Sequence, residues 1–177
     1  MIKLAIDLGS SVTKIFRIGS GVVLAEPSCV AVASGTANVK AIGEEAKRLI
    51  GKAAEYTTIV FPVFEADIVN EEMAAIMLSY FLNKAGVTPK LARRAEAVFA
   101  VPCGAQDELL DKYYRLGEKC SLGSVHFVEV PFLSALGQNM LLSETNPVFV
   151  VDIGGGSTNI AAFSLVGIIA RIGLDIG

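Results

Sequence analysis

A chain of 177 residues is long enough to bury roughly 70% of its unfolded surface, the size of one ordinary domain or of one lobe of a larger protein. Hydrophobic residues make up 53% of it and charged residues 19%, yet no uninterrupted apolar run approaches the ~18 residues a membrane span needs, so the excess reads as buried sheet plus a surface meant for a partner. A net charge of −3 with no basic cluster excludes bulk attraction to nucleic acid, and Cys29, Cys103 and Cys120, odd in number and without CxxC spacing, exclude a disulfide framework or zinc site and fit a reducing cytoplasm.

The opening "MIKLAID" reads as a strand over about 2–7 and is expected to leave no room for a leader. A Gly-Ser turn, a strand over about 12–18, a "GSG" turn and a strand over about 22–33 follow, glycine supplying the positive φ a hairpin needs. "EEAKRLIG" predicts a short helix, with acids first, bases later and Gly51 as its stop. Asn70 is placed to cap the helix "EEMAAIMLSYFLNKAG", in which Met73, Ile76, Met77, Tyr80 and Phe81 recur at core spacing and Gly86 ends the run.

"EAVFAVP" predicts a buried strand, and "AQDELLDKYYRLGEK" a helix with Leu109, Leu110, Tyr113 and Leu116 inward. "SVHFVEV" is another strand, and its His126, the only histidine, is expected to be structural, with no second histidine for a metal or a triad. A helix over about 131–141 precedes three strands over about 147–173, turning at "GGGS" and near Gly167. Strands alternating with helices and hairpins at both ends predict a mixed α/β sheet.

Two turns carry the chemistry. Each puts an aspartate at the end of an apolar strand, then glycines and hydroxyls: Asp7, Gly9, Ser10, Ser11 and Thr13 in one, and Asp152, Gly154, Gly155, Gly156, Ser157 and Thr158 in the other. Glycine lets backbone N–H groups converge on an anion, hydroxyls add donors, and Lys14 adds a charge. Asp7 and Asp152 suit a hydrated Mg²⁺, which keeps its waters and takes few carboxylates. The expected ligand is the phosphate tail of a nucleotide, gripped from two sides. Neither turn fits GxxxxGK[ST] or GxGxxG, so P-loop and Rossmann readings fail.

These turns, with "EPSCVAV", "AIGEEAKRLIG", "FPVFEADIVNEEMAAIMLSYF", "AVPCGAQDELL", "FVEVPFLSALG" and "VFVVDIGGGSTNIAAFSLVGIIA" in order and spacing, resemble the MreB family of bacterial actin homologues, within the actin and sugar-kinase superfamily of ATPases. The resemblance covers essentially the whole chain. It implies an actin-like, ribonuclease H-like α/β fold. Residues 1–32 and 70–146 would form subdomain IA, 33–69 a small subdomain IB, and 147–177 the first strands of a second lobe. It also implies ATP and Mg²⁺ as cofactors, self-association into filaments, and cell-shape work beside membrane-associated cell-wall machinery at the inner face of the membrane.

Three departures qualify this. Lys14 stands where the family has an apolar residue. The family's water-positioning glutamate falls on Leu109, leaving Glu108 or Gln106 to orient water if hydrolysis occurs, and Val130 replaces the second acid of the family's "EEP". The chain also stops at "IGLDIG", where the family continues into its adenosine site, so weak ATP affinity and self-association through 147–177 are expected. Two alternatives stay open: a catalytically degenerate scaffold similar to the pilus protein PilM, and an exopolyphosphatase-like phosphohydrolase sharing "DIGGGST".

Overall fold

The computed structural model describes residues 2–52, 56–138, 147–164 and 167–177. Strands β1 (Ile2–Leu8), β2 (Val12–Arg17) and β3 (Gly21–Pro27) form an antiparallel meander. The strand expected over 22–33 breaks at Ser28. Its N–H donates to the Ser11 carbonyl, and its buried hydroxyl pairs with that of Thr13 at 2.8 Å, so the chain leaves the first sheet there. It continues as β4 (Val30–Ala33), the middle of a second sheet with β5 (Val39–Ile42) and β6 (Thr57–Val60). The four-residue helix α1 (Glu44–Lys47) packs on this sheet.

A short hairpin, β7 (Val63–Phe64) and β8 (Asp67–Ile68), turns through Glu65 and Ala66, at φ 46 and 63. Lys112 holds it just beside the turn, donating to both Asp67 oxygens at 2.8 Å. Helix α2 (Glu71–Lys84) is capped as expected, the Asn70 side chain accepting from the Met73 N–H at 3.0 Å. Its buried face runs through Met73, Ala74, Met77, Leu78, Phe81 and Leu82. Tyr80, expected inside, lies exposed, while Ala74, Leu78 and Leu82, outside the expected set, are buried.

A short helix, α3 (Pro89–Ala92), leads into β9 (Ala95–Val101), helix α4 (Asp107–Lys119) and β10 (Ser124–Glu129). Helix α5 (Val130–Gly137) starts one residue earlier than expected, with Pro131 in its first turn; the far end of the expected helix lies outside the described residues. The last sheet consists of β11 (Val148–Ile153), β12 (Thr158–Ser164) and β13 (Gly167–Leu174), all antiparallel.

The main sheet has the order β10-β9-β1-β2-β3, with β9 and β10 parallel to β1. Beneath it lies the large core, built on Ile6, Ile15, Met77, Phe81, Phe99 and Leu116. Cys103, Ala135, Val150, Ala161 and Phe163 form a much smaller second core between α5 and the β11–β13 sheet. Polar contacts join the two sheets. The Asn159 Oδ1, in a side chain 3% exposed, accepts the Cys103 N–H at 2.8 Å, and Arg171 pairs with Glu129, which also accepts from the Gly104 N–H at 3.2 Å.

Glu26 ties three elements together, accepting from Lys84 at 2.6 Å and from the Glu44 N–H at 2.8 Å. Burial pushes its carboxyl upward, but these bonds prevail and hold it below the usual carboxylate range. A depressed acid stabilises the fold above its unfolded pKa and loses that contribution as pH falls through the folded one. Acid unfolding of the Glu26→Gln variant is therefore expected to depend less steeply on pH below about pH 4, as denaturant titrations across that range would read. Asn159→Ala leaves a buried N–H unpaired and is expected to cost about 1–3 kcal/mol. Hydrogen exchange should then quicken at Cys103 and along β12 while β1 stays protected.

Candidate functional site

Both glycine turns open onto one cleft of about 750 Å³. One wall is the β1–β2 turn with Asp7, Gly9, Ser10, Ser11 and Lys14; the opposite wall is the β11–β12 turn with Asp152, Gly154, Gly155, Gly156 and Ser157. Tyr113 of α4 and Leu133, Ser134 and Gly137 of α5 line the remainder. The first wall sits where it does because β1 lies between β2 and β9, which delivers Asp7 to the carboxyl end of the parallel strands, the usual ligand edge of an α/β sheet.

The glycines are sterically required. A Cβ on Gly9 would lie 2.8 Å from the Val12 carbonyl oxygen, and one on Gly156 would lie 2.7 Å from the Ser10 hydroxyl and 3.2 Å from the Glu65 nitrogen. One on Gly155 would lie 2.8 Å from the Ser11 Cβ. The two turns thus touch, residue against residue, with the tip of the β7–β8 hairpin resting on the second. Gly154 closes its own turn by donating its N–H to the Ser157 carbonyl at 2.8 Å. A side chain at Gly155 or Gly156 would push the opposite turn away, so glycine there is what lets the two turns close on each other; paired glycine-rich turns of this kind suit an anion such as phosphate.

Charge is arranged sparingly. Asp7 and Lys14 are direct cross-strand partners, and the ammonium lies 3.3 Å from the carboxylate. Both side chains are about half exposed, so this pair contributes little to stability and stays available to a ligand. Asp152 accepts from the Ser134 hydroxyl at 2.6 Å, which fixes its carboxylate toward α5. Burial, then the charges of Asp7 and Asp67, raise the Tyr113 phenol far above its ordinary value, keeping it a neutral group at the cleft. No group of three or more His, Cys, Asp or Glu among the described residues is placed to hold a metal, so a Mg²⁺ here would rely on phosphate oxygens and water beside Asp7 and Asp152.

Ten of the expected residues therefore share this cleft: Asp7, Gly9, Ser10, Ser11, Lys14, Asp152, Gly154, Gly155, Gly156 and Ser157. Four stand apart. Thr13 is buried against Ser28, because it neighbours Lys14 on a strand and so must face the other way. Thr158 donates to the Ile176 carbonyl at 2.8 Å. Gln106 bonds back to the Gly104 carbonyl and Glu108 is exposed on α4; neither lines the cleft, while Leu109 packs on the large core.

Sequence reasoning missed Asn159, Ser134 and Tyr113, all lining the cleft. Asn159 had a signal: it is a lone amide in an otherwise apolar, alternating strand. Cys103 is inert beside them, its thiol pushed up to about 11 by burial and by Glu129.

Comparison with known proteins agrees with this architecture. The cell shape-determining protein MreB of Escherichia coli (strain K12) is 30% identical over 178 residues, covering 98% of this chain and 51% of that protein. The cell shape-determining protein Mbl of Bacillus subtilis (strain 168) is 32% identical over 162 residues, covering 92% and 48%. The chain thus spans about half the length of these relatives. Among solved structures, MreB5 of Spiroplasma citri bound to AMPPNP superposes with a TM-score of 0.89 at 24% identity, over 98% of this chain and 52% of that one. The MamK double helical filament gives 0.77 at 21% identity, over 98% and 54%. The fold is actin-like. The family model described as MreB/Mbl protein matches residues 1–177, and the chain belongs to that family.

Proposed function

We propose that this chain is the phosphate-gripping half of an MreB-like cytoskeletal protein, holding ATP with Mg²⁺ and assembling into filaments that serve cell shape from the cytoplasmic side. Within it, residues 1–32 and 70–146 act as subdomain IA, 33–69 as IB and 147–177 as the start of the second lobe. The observation that carries the reading is the meeting of the two glycine turns across one cleft, where Gly9, Gly155 and Gly156 have no room for a side chain. Backbone N–H groups of both turns and the hydroxyls of Ser10, Ser11 and Ser157 would hold the phosphates. Lys14 would add charge, while Asp7 and Asp152 would orient water on the Mg²⁺. That cation, when bound, neutralises phosphate charge.

Binding is favoured over turnover. With Leu109 committed to the core and Gln106 and Glu108 away from the cleft, no carboxylate or amide of α4 stands ready to position an attacking water. Filament assembly gated by binding, or scaffolding in the manner of PilM, fits this geometry better than rapid hydrolysis. A relative bound to AMPPNP and another solved as a double helical filament support the ligand class and the assembly.

Self-association of the chain is proposed to use the β11–β13 sheet. Val151, Ile160 and Ile172 form one cross-strand row, and Phe149, Ile153, Ala162 and Ala170 complete the same outward face with no charge among them. Phe149 is 66% and Ile153 72% exposed. Each such side chain gains about 1.5–3 kcal/mol if fully covered.

Two measurements test this. Calorimetric titration with Mg²⁺–ATP is expected to show binding that Asp7→Asn weakens by about tenfold to a hundredfold, the loss of one charge-assisted contact; phosphate release from ATP or polyphosphate should stay near background. Absence of any nucleotide binding at millimolar ligand would refute the reading. In light scattering, the chain should run above monomer mass and Val151→Glu should return it to monomer. A wild-type monomer at every concentration would refute the sheet-face contact.

A further inference from the structure

A second pocket, of about 360 Å³, lies behind the first glycine turn and shares Ser10, Ser11 and Gly155 with the phosphate cleft. The contact between Ser11 and Gly155 is therefore a partition between two chambers. The second chamber is different in kind. Its floor is Cys29 and Val63, each 1% exposed, and its rim is Ile50, Phe61 and Phe64, each about half exposed. Pro27 closes one side. Such a volume falls at the lower end of the roughly 300–1,000 Å³ range of small-molecule sites, and an apolar wall with few polar groups is their usual composition.

One cation stands on this wall. Lys47, on α1, lines the pocket and has no ion-pair partner among the described residues. Two acids of this region are engaged elsewhere: Glu26 with Lys84 and the Glu44 N–H, Glu44 with Arg48 at 3.5 Å. The polar groups at the floor are also engaged, the Cys29 thiol donating to the Gly43 carbonyl and the Ser28 hydroxyl pairing with Thr13. What the chamber offers a visitor is thus an apolar slot with the unpaired Lys47 on its wall.

We propose that this chamber is a binding site for a small amphiphilic anion, with a flat or branched apolar body seated on Cys29, Val63 and Phe64 and one anionic group facing Lys47. This site is distinct from the phosphate cleft and does not depend on a nucleotide occupying it. Ser11 and Gly155 line both chambers.

The test uses two fluorescent probes of one shape and different charge, anilinonaphthalene sulfonate and neutral N-phenylnaphthylamine, titrated into the whole chain without nucleotide. Lys47→Gln, an exposed substitution, is expected to weaken the sulfonate roughly tenfold and leave the neutral probe unchanged. Phe64→Ala should weaken both probes, and Val151→Ser, on the bare face of the β11–β13 sheet, should weaken neither. Circular dichroism confirms that each variant is folded. An unchanged sulfonate affinity in Lys47→Gln, or loss of both probes in Val151→Ser, would overturn the proposal.

Discussion

The register of the two glycine turns depends on one buried amide. The turns belong to separate sheets, which share no strand pairing. What aligns them is the Asn159 side chain accepting the Cys103 N–H, seconded by the Arg171–Glu129 pair and the packing of α5 between the sheets. A buried amide hydrogen bond is directional in a way that apolar packing is not, and leaving its donor unpaired costs more than the bond contributes. The second turn is thereby set against the first within the width of a side chain, close enough for Gly155 to touch Ser11 and Gly156 to touch Ser10.

Geometry upstream of that clamp follows from the central strand. Strand β1 is paired on both sides, antiparallel to β2 and parallel to β9, and its inward residues Leu4, Ile6 and Leu8 are nearly inaccessible. Slipping it by one residue would turn that whole set outward, so its register is firmly specified. Asp7 and Lys14 then face the cleft together while Thr13 and Ile15 face the core. The cleft wall is a by-product of core packing.

Much of this was legible in the sequence. The 3.6-residue period in α4, the presence of α2 with its Asn70 cap, and the glycine-rich ends of the hairpins all mark local physics that tertiary contacts do not override. What escaped depends on contacts between distant residues. Pro27 is a local mark of the break in the run Val22–Ala33, but where the chain goes next depends on the Ser28 hydroxyl pairing with Thr13, 15 residues away, as it crosses to another sheet. Strands β7 and β8, of two residues each, are too short for alternation to register, and α3 shows only Pro89 at its first position. At the site, the glycines and aspartates that line the cleft stood out as two matching turns at the ends of apolar strands. Thr13 was misplaced because motif spacing was followed where strand alternation already decided the matter. Asn159 was overlooked because its role exists only once two sheets meet.

The large core and the one under β11–β13 are unequal, and this has a thermal consequence. Among the described residues the large one gathers more than twenty buried side chains beneath the main sheet, whereas the one under β11–β13 has five. Cooperative units of such different depth open at different temperatures, the shallower first. On warming, the β11–β13 layer is expected to detach before the main sheet, so heat would unmake the jaw before the body. A molecule gripped by both turns acts as a rivet through the weaker seam, and its greatest effect falls on the earlier of two melting steps.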